Sequence, residues 1–269
     1  MPFELVNMET SDSTDQLRLA LVGLEQSGKS RLAATCRKPA LLLDFDGKKA
    51  SIAKTPGLHA VSFKEVPYPH MPVTYSDSLD ILTQIEKSTD LSQVNQKFNL
   101  GLDIKSETML KTVIVDSGFS FGRAIMSYIL YTNKDLRVTV NIGGKLEIHT
   151  PKSWAAWGAE TNALENYLLR LFALGLDVIF ILHEAAEESN DSTEKDPKFT
   201  GKQTVYPVRY KNLLKYFNEV WRVTRTDKGE PKVITVPEFY FATAGTTMKL
   251  DASERPNIEA MIAKHKASK

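Results

Sequence analysis

The stretch GLEQSGKS, residues 23–30, decides the fold class of this chain. It matches the pattern GxxxxGK[ST] in full. The apolar run LRLALVG (17–23) precedes it and has the character of a buried strand, and KSRLAATCR (29–37) follows it as a predicted helix. A glycine-rich loop between a strand and a helix is the context of a phosphate-binding loop.

Each residue type in this loop has a chemical purpose. Glycines let successive backbone N–H groups turn toward a phosphate, and the start of the helix adds its positive end. The Lys29 ammonium is expected to bridge the β- and γ-phosphates of a nucleotide, and the Ser30 hydroxyl to bind Mg²⁺. The predicted nucleotide-binding residues are Gly23, Leu24, Glu25, Gln26, Ser27, Gly28, Lys29, Ser30 and Arg31.

Composition limits the remaining possibilities. The chain has 269 residues, of which 42% are hydrophobic and 25% charged, and a net charge of +1, so steering of the whole chain toward nucleic acid is not implied. Its single cysteine, Cys36, excludes an internal disulfide and suits a reducing compartment. Residues 1–15 form a polar lead-in without signal-peptide character, and no apolar run is long enough to span a membrane. We expect a cytoplasmic protein.

Apolar runs alternate with helical patterns along the chain, which is typical of an α/β fold. We predict a mostly parallel central sheet flanked by helices, with a β-hairpin insertion and a C-terminal antiparallel extension. The predicted strands are 17–23, 40–47, 111–118 and 176–184, and a strand pair turns at Asp227-Lys228-Gly229 within 216–236. The predicted helices are 29–37, 76–87, 121–131, 152–174 and 254–266; a hairpin covers 136–149 around Gly143-Gly144, and a long polar loop covers 187–204.

One predicted helix carries an aromatic and aliphatic stripe. Trp154, Trp157, Leu164, Leu168 and Leu171 recur at helical spacing. We interpret the stripe as core packing and not as a platform for stacking nucleic-acid bases.

Asp116 closes the buried strand TVIVDS. Ligands of open α/β sheets bind at the carboxyl ends of the strands, and a strand-end aspartate there can hold the Mg²⁺ of a phosphate-loop site. Asp116 is therefore predicted to be a metal residue together with Ser30.

Other classes of phosphate-loop protein fit less well. The DFDG at 44–47 matches the DxxG motif of GTPases, but it follows Ser30 too closely to leave room for their switch loop. The TNKD at 132–135 resembles their guanine-binding motif NKxD, but Leu136 occupies the position where that motif has its aspartate. A nucleotide-kinase lid needs arginines, and Arg209 alone lies near the long loop. A small-molecule kinase is the third hypothesis.

The strand endings LLDFD, VIVDS and VIFILHE together resemble those of the RecA-like P-loop ATPases. The resemblance is closer to phage-encoded nucleotide-binding proteins of the AAA/RecA type, several of which act in single-strand annealing and recombination. It also includes the helix that begins WAAWG and the loop DPKFTGKQ, and it covers residues 17 to about 225. It implies a RecA-like ATPase domain, which we place over 16–250, and the predicted C-terminal helix then occupies the segment 251–269.

The resemblance implies roles for three further residues. Asp46 occupies the place of the family's catalytic glutamate, the general base that activates water. It is one methylene shorter, so two alternatives follow: hydrolysis is slow, or Asp44 shares the task. His183 stands where the family senses the γ-phosphate. Glu184 is either a second base or a cap of its strand.

The resemblance also implies partners. The loop 187–204 matches the DNA-contacting loop of the family, although its acidic residues equally favour a solvated surface loop. Its candidate DNA residues are Lys195, Lys198, Phe199 and Lys202, with the hairpin residues Lys134, Arg137 and Lys145 as a weaker set. Lys249, with Arg255 in reserve, is the candidate cation that one subunit would supply to its neighbour.

Two functions remain open at this stage. The first is a homo-oligomeric ATPase that binds ATP and Mg²⁺ and acts on single-stranded DNA in phage recombination or replication. The second is a nucleotide-gated binding module with weak hydrolysis that acts through a protein partner, such as a single-strand-binding protein or an assembly factor.

Overall fold

The structure is a computed structural model, and it describes residues 16–47, 52, 54–64, 72–102, 104, 108–142, 146–186, 203–205, 213–226, 228–235, 248 and 250–267. Several predictions concern residues outside this set. They are the lead-in 1–15, the hairpin turn with Lys145, residues 187–202 of the long loop with its four candidate DNA residues, Arg209, Asp227 and Lys249.

The described residues form eleven strands and six α-helices. The strands are β1 (Arg18–Gly23), β2 (Ala40–Asp44), β3 (Leu58–Ser62), β4 (Thr112–Asp116), β5 (Arg137–Ile142), β6 (Leu146–Pro151), β7 (Asp177–Ala186), β8 (Gln203–Val205), β9 (Glu219–Arg225), β10 (Pro231–Ile234) and β11 (Ser253–Glu254). The helices are α1 (Lys29–Ala33), α2 (Thr74–Lys87), α3 (Leu91–Phe98), α4 (Gly118–Thr132), α5 (Trp154–Ala173) and α6 (Ile258–Ala267).

The predicted α/β architecture is confirmed. The main sheet runs in the order β11-β10-β9-β1-β7-β4-β2-β3, and β8 pairs with β7 outside this path. The six strands from β9 to β3 are parallel, whereas β8, β10 and β11 pair antiparallel. Because β7 lies between β1 and β4, the carboxyl ends of the phosphate-loop strand, the His183 strand and the Asp116 strand are neighbours.

Helices cover both faces of the sheet. One core cluster packs α2, α3, α4 and α5 against side chains such as Val113 and Phe180, and the other packs α1 and α6 against Leu21 and Ile181. The central strands read as continuous apolar runs because both of their faces are buried.

Helix α1 is shorter than predicted. It ends at Ala33 and not at residue 37, and the chain continues through a turn in which Thr35 N–H donates to the Leu32 carbonyl. Pro39 follows shortly, and a residue that precedes proline avoids the helical conformation, so the chain leaves the helix before β2.

Neither β3 nor α3 is among the predicted elements. All five residues of β3 are half-buried at the edge of the main path of the sheet, so the run LHAVS lacks the apolar continuity of an inner strand. Helix α3 buries only Leu91 and Val94, and its start is capped by the Asp90 carboxylate, which accepts from Ser92 N–H.

The hairpin insertion is confirmed, but one residue of the aromatic stripe was wrongly assigned to the core. Strands β5 and β6 form a separate two-stranded sheet. Trp154, the first residue of α5, is 87% exposed, while Trp157 is half-buried and Leu164, Leu168 and Leu171 are fully buried. Ser153 caps the helix through its hydroxyl, so Trp154 sits in the first turn, beyond the reach of the core.

The C-terminal part is antiparallel as predicted. Strand β10 pairs with β9 and with the short β11, and α6 begins at Ile258, later than the predicted residue 254, because residues 253–254 form β11. Among the described helices, none is both long and apolar enough to cross a membrane.

Candidate active site at the carboxyl ends of the central strands

The phosphate loop has the predicted backbone geometry. Gly28 has φ of 105° and immediately precedes Lys29, the first residue of α1. A Cβ on Gly23 would lie 2.3 Å from the backbone oxygen of Val223, so β9 approaches this position too closely for any other residue. Both glycines of the motif are thus required, one for conformation and one for space.

The loop forms the floor of a cavity of about 470 Å³. The cavity brings together most of the predicted site residues. It is lined by Glu25, Gln26, Ser27, Gly28, Lys29, Ser30, Arg31, Asp46, Asp116, His183 and Arg225.

Lys29 is buried at the base of the cavity. Its ammonium donates to the carbonyl oxygens of Gly23 at 2.8 Å and Leu24 at 2.6 Å. Burial lowers the pKa of Lys29 to about 8, although the carboxylates of Asp116 and Glu184 favour its charged form. A partly desolvated cation at the loop is suited to a phosphate ligand.

Ser30 and Asp116 are in contact. The Ser30 hydroxyl donates to Asp116 Oδ2 at 2.6 Å, and burial, together with the nearby negative charges of Asp46 and Asp44, raises the pKa of Asp116. A cation next to Asp116 would relieve this unfavourable burial of charge. A hydroxyl and a carboxylate oxygen are also the donors that Mg²⁺ prefers, so these residues fit the predicted metal role.

The phosphate loop also contains a buried hydroxyl that is suited to a ligand. Ser27 is 4% exposed, and its Oγ has no hydrogen-bond partner among the described residues. Buried polar atoms are nearly always paired, so a phosphate oxygen above the loop is a natural partner for it.

Asp46 is held by a network of donors. Its Oδ1 accepts from the hydroxyls of Ser117, at 2.9 Å, and of Ser120, and its Oδ2 lies 3.7 Å from His183 Nε2. Burial opposes ionisation of Asp46, but the nearby His183 ring and the hydrogen bonds from Ser120 and Ser117 outweigh it and lower the pKa of this carboxyl. Asp46 is therefore a carboxylate across the physiological range.

His183 lies beside Gly23 in the paired strands β7 and β1. Its Nε2 faces Asp46, whereas its buried Nδ1 has no partner within the described part of the chain. The ring lines the cavity and is 25% exposed, so it can reach a ligand placed over the phosphate loop.

Glu184 forms an ion pair with Arg222 and does not face the cavity. Its Oε1 accepts from Arg222 Nε at 2.7 Å in an ion pair whose side chains are 1% and 9% exposed. Strand β1 ends at Gly23, while β7 and β9 on either side continue beyond it, and this ion pair joins the two strands there. Glu184 does not line the cavity, so its placement favours a structural role over that of a second base.

The predicted residues Asp44, Leu24 and Arg255 do not line the cavity either. Asp44 is buried and accepts from the Ser62 hydroxyl at 2.8 Å, which ties β2 to β3. Leu24 is 43% exposed beside the cavity, and Arg255 is exposed next to β11. Cys36 is buried, and burial raises its pKa to about 11, so its thiol is a structural one.

Arg225 was missed by sequence reasoning. It ends β9 and lines the cavity, and its guanidinium donates to the Gln26 carbonyl through Nε at 2.9 Å and Nη2 at 2.6 Å. No motif signals this contact, because Arg225 lies about 200 positions away in sequence and recognises a backbone oxygen, not a side chain.

The chain is similar to a known family and to solved structures. No curated protein matches the chain. Among solved structures, the crystal structure of the RadB recombinase matches with 16% sequence identity and a TM-score of 0.39, over 83% of this chain and 82% of that chain. A family model described as an AAA domain, AAA_24, matches residues 15–256. The chain therefore belongs to the AAA_24 family of AAA domains, a family of P-loop nucleotide-binding proteins.

Proposed function

We propose that this protein binds ATP with Mg²⁺ in the cavity above the phosphate loop, hydrolyses it, and couples hydrolysis to work on single-stranded DNA as a homo-oligomer. One observation carries the proposal. The Ser30–Asp116 pair and the Asp46–His183 pair line the same cavity as Lys29. A phosphate-binding loop, a pair of metal-binding side chains and a carboxylate in the same cavity are parts that phosphoryl transfer to water requires.

Each residue has a defined task in this proposal. The loop amides and Lys29 bind the β- and γ-phosphates and hold the γ-phosphate toward β4 and β7. Asp46 orients the attacking water and accepts its proton, and His183 contacts the γ-phosphate and holds Asp46 in place. Mg²⁺ bound by Ser30 and Asp116 would neutralise phosphate charge.

The DNA-related part of the proposal rests on the resemblance to RecA-like proteins. The loop 187–204 follows β7 directly, so a conformational change at His183 has a short covalent path to it. Lys195, Lys198, Phe199 and Lys202 provide the cations and the ring that single-stranded DNA needs. Phage recombination or replication in the host cytoplasm, and supply of Lys249 by a neighbouring subunit, belong to the same proposal.

A second candidate function is favoured by the environment of Asp46. Its lowered pKa makes it a weak proton acceptor, since a general base works best with a pKa near the ambient pH. On this proposal the protein binds ATP, hydrolyses it slowly, and uses the bound state to recruit a partner such as a single-strand-binding protein.

The two functions are separated by measuring ATP turnover with and without single-stranded DNA at low salt. The parent protein is compared with Lys29→Ala, which removes the phosphate-binding cation, and with Arg123→Ala, an exposed arginine on α4 outside the cavity. We expect turnover that rises with DNA in the parent and in Arg123→Ala and is lost in Lys29→Ala. Tight ATP binding without DNA-stimulated turnover would favour the second function, and absence of ATP binding would contradict both.

A further inference from the structure

The guanidinium of Arg225 makes three hydrogen bonds that connect two separate loops. Nε and Nη2 donate to the Gln26 carbonyl, and Nη1 donates to the Gly229 carbonyl at 2.6 Å. Gln26 belongs to the phosphate loop, and Gly229 belongs to the turn between β9 and β10. An arginine is suited to this task, because its planar fork presents several donors in fixed directions.

The contacted residue of the phosphate loop is conformationally unusual. Gln26 has φ of 60°, a left-handed conformation that is unfavourable for a residue with a side chain. Two charge-assisted hydrogen bonds to its carbonyl oxygen compensate for this conformation. Without these hydrogen bonds, the conformation in which the loop amides converge on a phosphate is less stable.

The rest of the β9–β10 hairpin also packs against the phosphate loop. The Val223 carbonyl approaches Gly23 so closely that a Cβ there would lie 2.3 Å from it, and a Cβ on Gly28 would lie 3.4 Å from Pro231. Strand β9 pairs with β1 only as far as Val22 and then continues for three residues along the loop. The phosphate loop therefore packs directly against the β9–β10 hairpin.

We propose that Arg225 is a positioning residue that preorganises the phosphate loop for its nucleotide by anchoring the Gln26 carbonyl to the β9–β10 turn. The inference rests on nucleotide binding as proposed above. Preorganisation lowers the ordering cost of binding, so its loss weakens affinity. At saturating ATP the ligand itself orders the loop, so the maximal turnover rate is retained.

The test uses the full chain and three variants. Arg225→Ala removes all three donors, Arg225→Lys keeps the charge but not the fork, and Lys228→Ala is a matched control, because Lys228 is exposed on the same turn. ATP affinity is measured with Mg²⁺ by calorimetry, and turnover is measured across ATP concentrations. Amide hydrogen exchange of a peptide covering 23–30 is measured without nucleotide.

We expect Arg225→Ala to weaken ATP binding and raise KM by about tenfold, with kcat within about twofold of the parent, since two charge-assisted hydrogen bonds are lost. Arg225→Lys should recover part of the affinity, and Lys228→Ala should match the parent. Exchange of the 23–30 peptide should accelerate in Arg225→Ala alone.

Three results would overturn the inference while the proposed function stands. One is ATP affinity of Arg225→Ala within about twofold of the parent, and another is unchanged exchange of the loop without nucleotide. A fall in kcat at unchanged KM would also contradict it, because Arg225 would then act on the reaction and not on the loop. If the parent itself binds no ATP, the proposed function fails and this inference fails with it.

Discussion

Asp46 is the residue on which the two candidate functions differ. Three side chains hold its carboxylate, and they lower its pKa while fixing its orientation toward His183. An oriented but weakly basic carboxylate aligns water better than it removes a proton. The shorter side chain of Asp46 alone would suggest slow hydrolysis. The hydrogen bonds from the two serines add an electrostatic reason, because they lower the basicity of the carboxylate.

Replacement of Asp46 by asparagine tests its role directly. The amide keeps the shape of the side chain but cannot accept a proton from water, so turnover should fall by about 100-fold or more while the ATP dissociation constant stays within about threefold. Single-turnover hydrolysis and calorimetry provide the two quantities. Asp80→Asn, on the exposed side of α2, is the control. Retained turnover in Asp46→Asn would move the base to Asp44 or Glu184.

The lowered pKa of Lys29 predicts that nucleotide binding depends on pH. Its pKa in the free protein is about 8, and a bound phosphate raises this value by favouring the ammonium. Below pH 8 Lys29 is charged before and after binding, so affinity is flat. Above pH 8 the protein must take up a proton to bind, so the dissociation constant should rise by up to about tenfold per pH unit.

This pH dependence is measured between pH 7.5 and about 9.5, where the phosphates of the nucleotide are already ionised. Lys29→Arg keeps its charge over this range, and its affinity, whatever its absolute value, should not change with pH. A parent profile as flat as that of Lys29→Arg would show that burial does not perturb this lysine.

The position of α4 depends on a single glycine. Gly118 is its first residue, and a Cβ there would lie 2.4 Å from the ring of Phe180 on β7. Asp116 and the two serines that hold Asp46 lie at the same junction between β4 and α4. Close packing of this helix on the sheet therefore sets the geometry of the site.

Alanine substitutions at two helical glycines test this packing. Gly118→Ala should lower the free energy of unfolding by about 1–3 kcal/mol, because the ring of Phe180 must move. Gly158→Ala, inside α5 with nothing within 4 Å of its Cβ, should raise it by up to about 1 kcal/mol through helix propensity. Urea unfolding measures both. Equal effects of the two substitutions would contradict the close contact.

The elements that the sequence predicted correctly are those with strong local signals. The strand of Asp116 and the phosphate loop are continuous in sequence, and their patterns are unambiguous. Strand β3 escaped prediction because its five residues are only half-buried. Helix α3 escaped because it is short: Leu91, Val94 and Phe98 recur at helical spacing, but over only eight residues. Arg225 escaped for another reason, since its partner is a backbone carbonyl that only the three-dimensional pairing of β9 with β1 brings near.

The described part of the molecule consists of a body that contains the phosphate loop and a hairpin appended to it. Strands β5 and β6 form their own sheet, and Val140 and Ile148 face each other across it while remaining 45% and 39% exposed. The base of the hairpin is anchored to the body, since Arg137 donates to the Leu130 carbonyl and Lys152 N–H to the Leu136 carbonyl. The described part of the hairpin beyond this base contributes no side chain to the nucleotide cavity.

Removal of the outer hairpin should therefore leave the nucleotide-binding body intact. Val138 and Thr150 are paired neighbours, so residues 139–149 can be replaced by Asn-Gly, a sequence that closes a two-residue turn. Exposed residues contribute little to stability, so we expect the unfolding temperature to change by less than about 3 °C and ATP affinity to stay within about twofold. Calorimetry measures both. If the loop 187–204 contacts DNA, DNA-stimulated turnover should also be retained after this replacement. Selective loss of DNA-stimulated turnover would instead assign the DNA contact to the hairpin. A large fall in unfolding temperature would show that the hairpin belongs to the core of the fold.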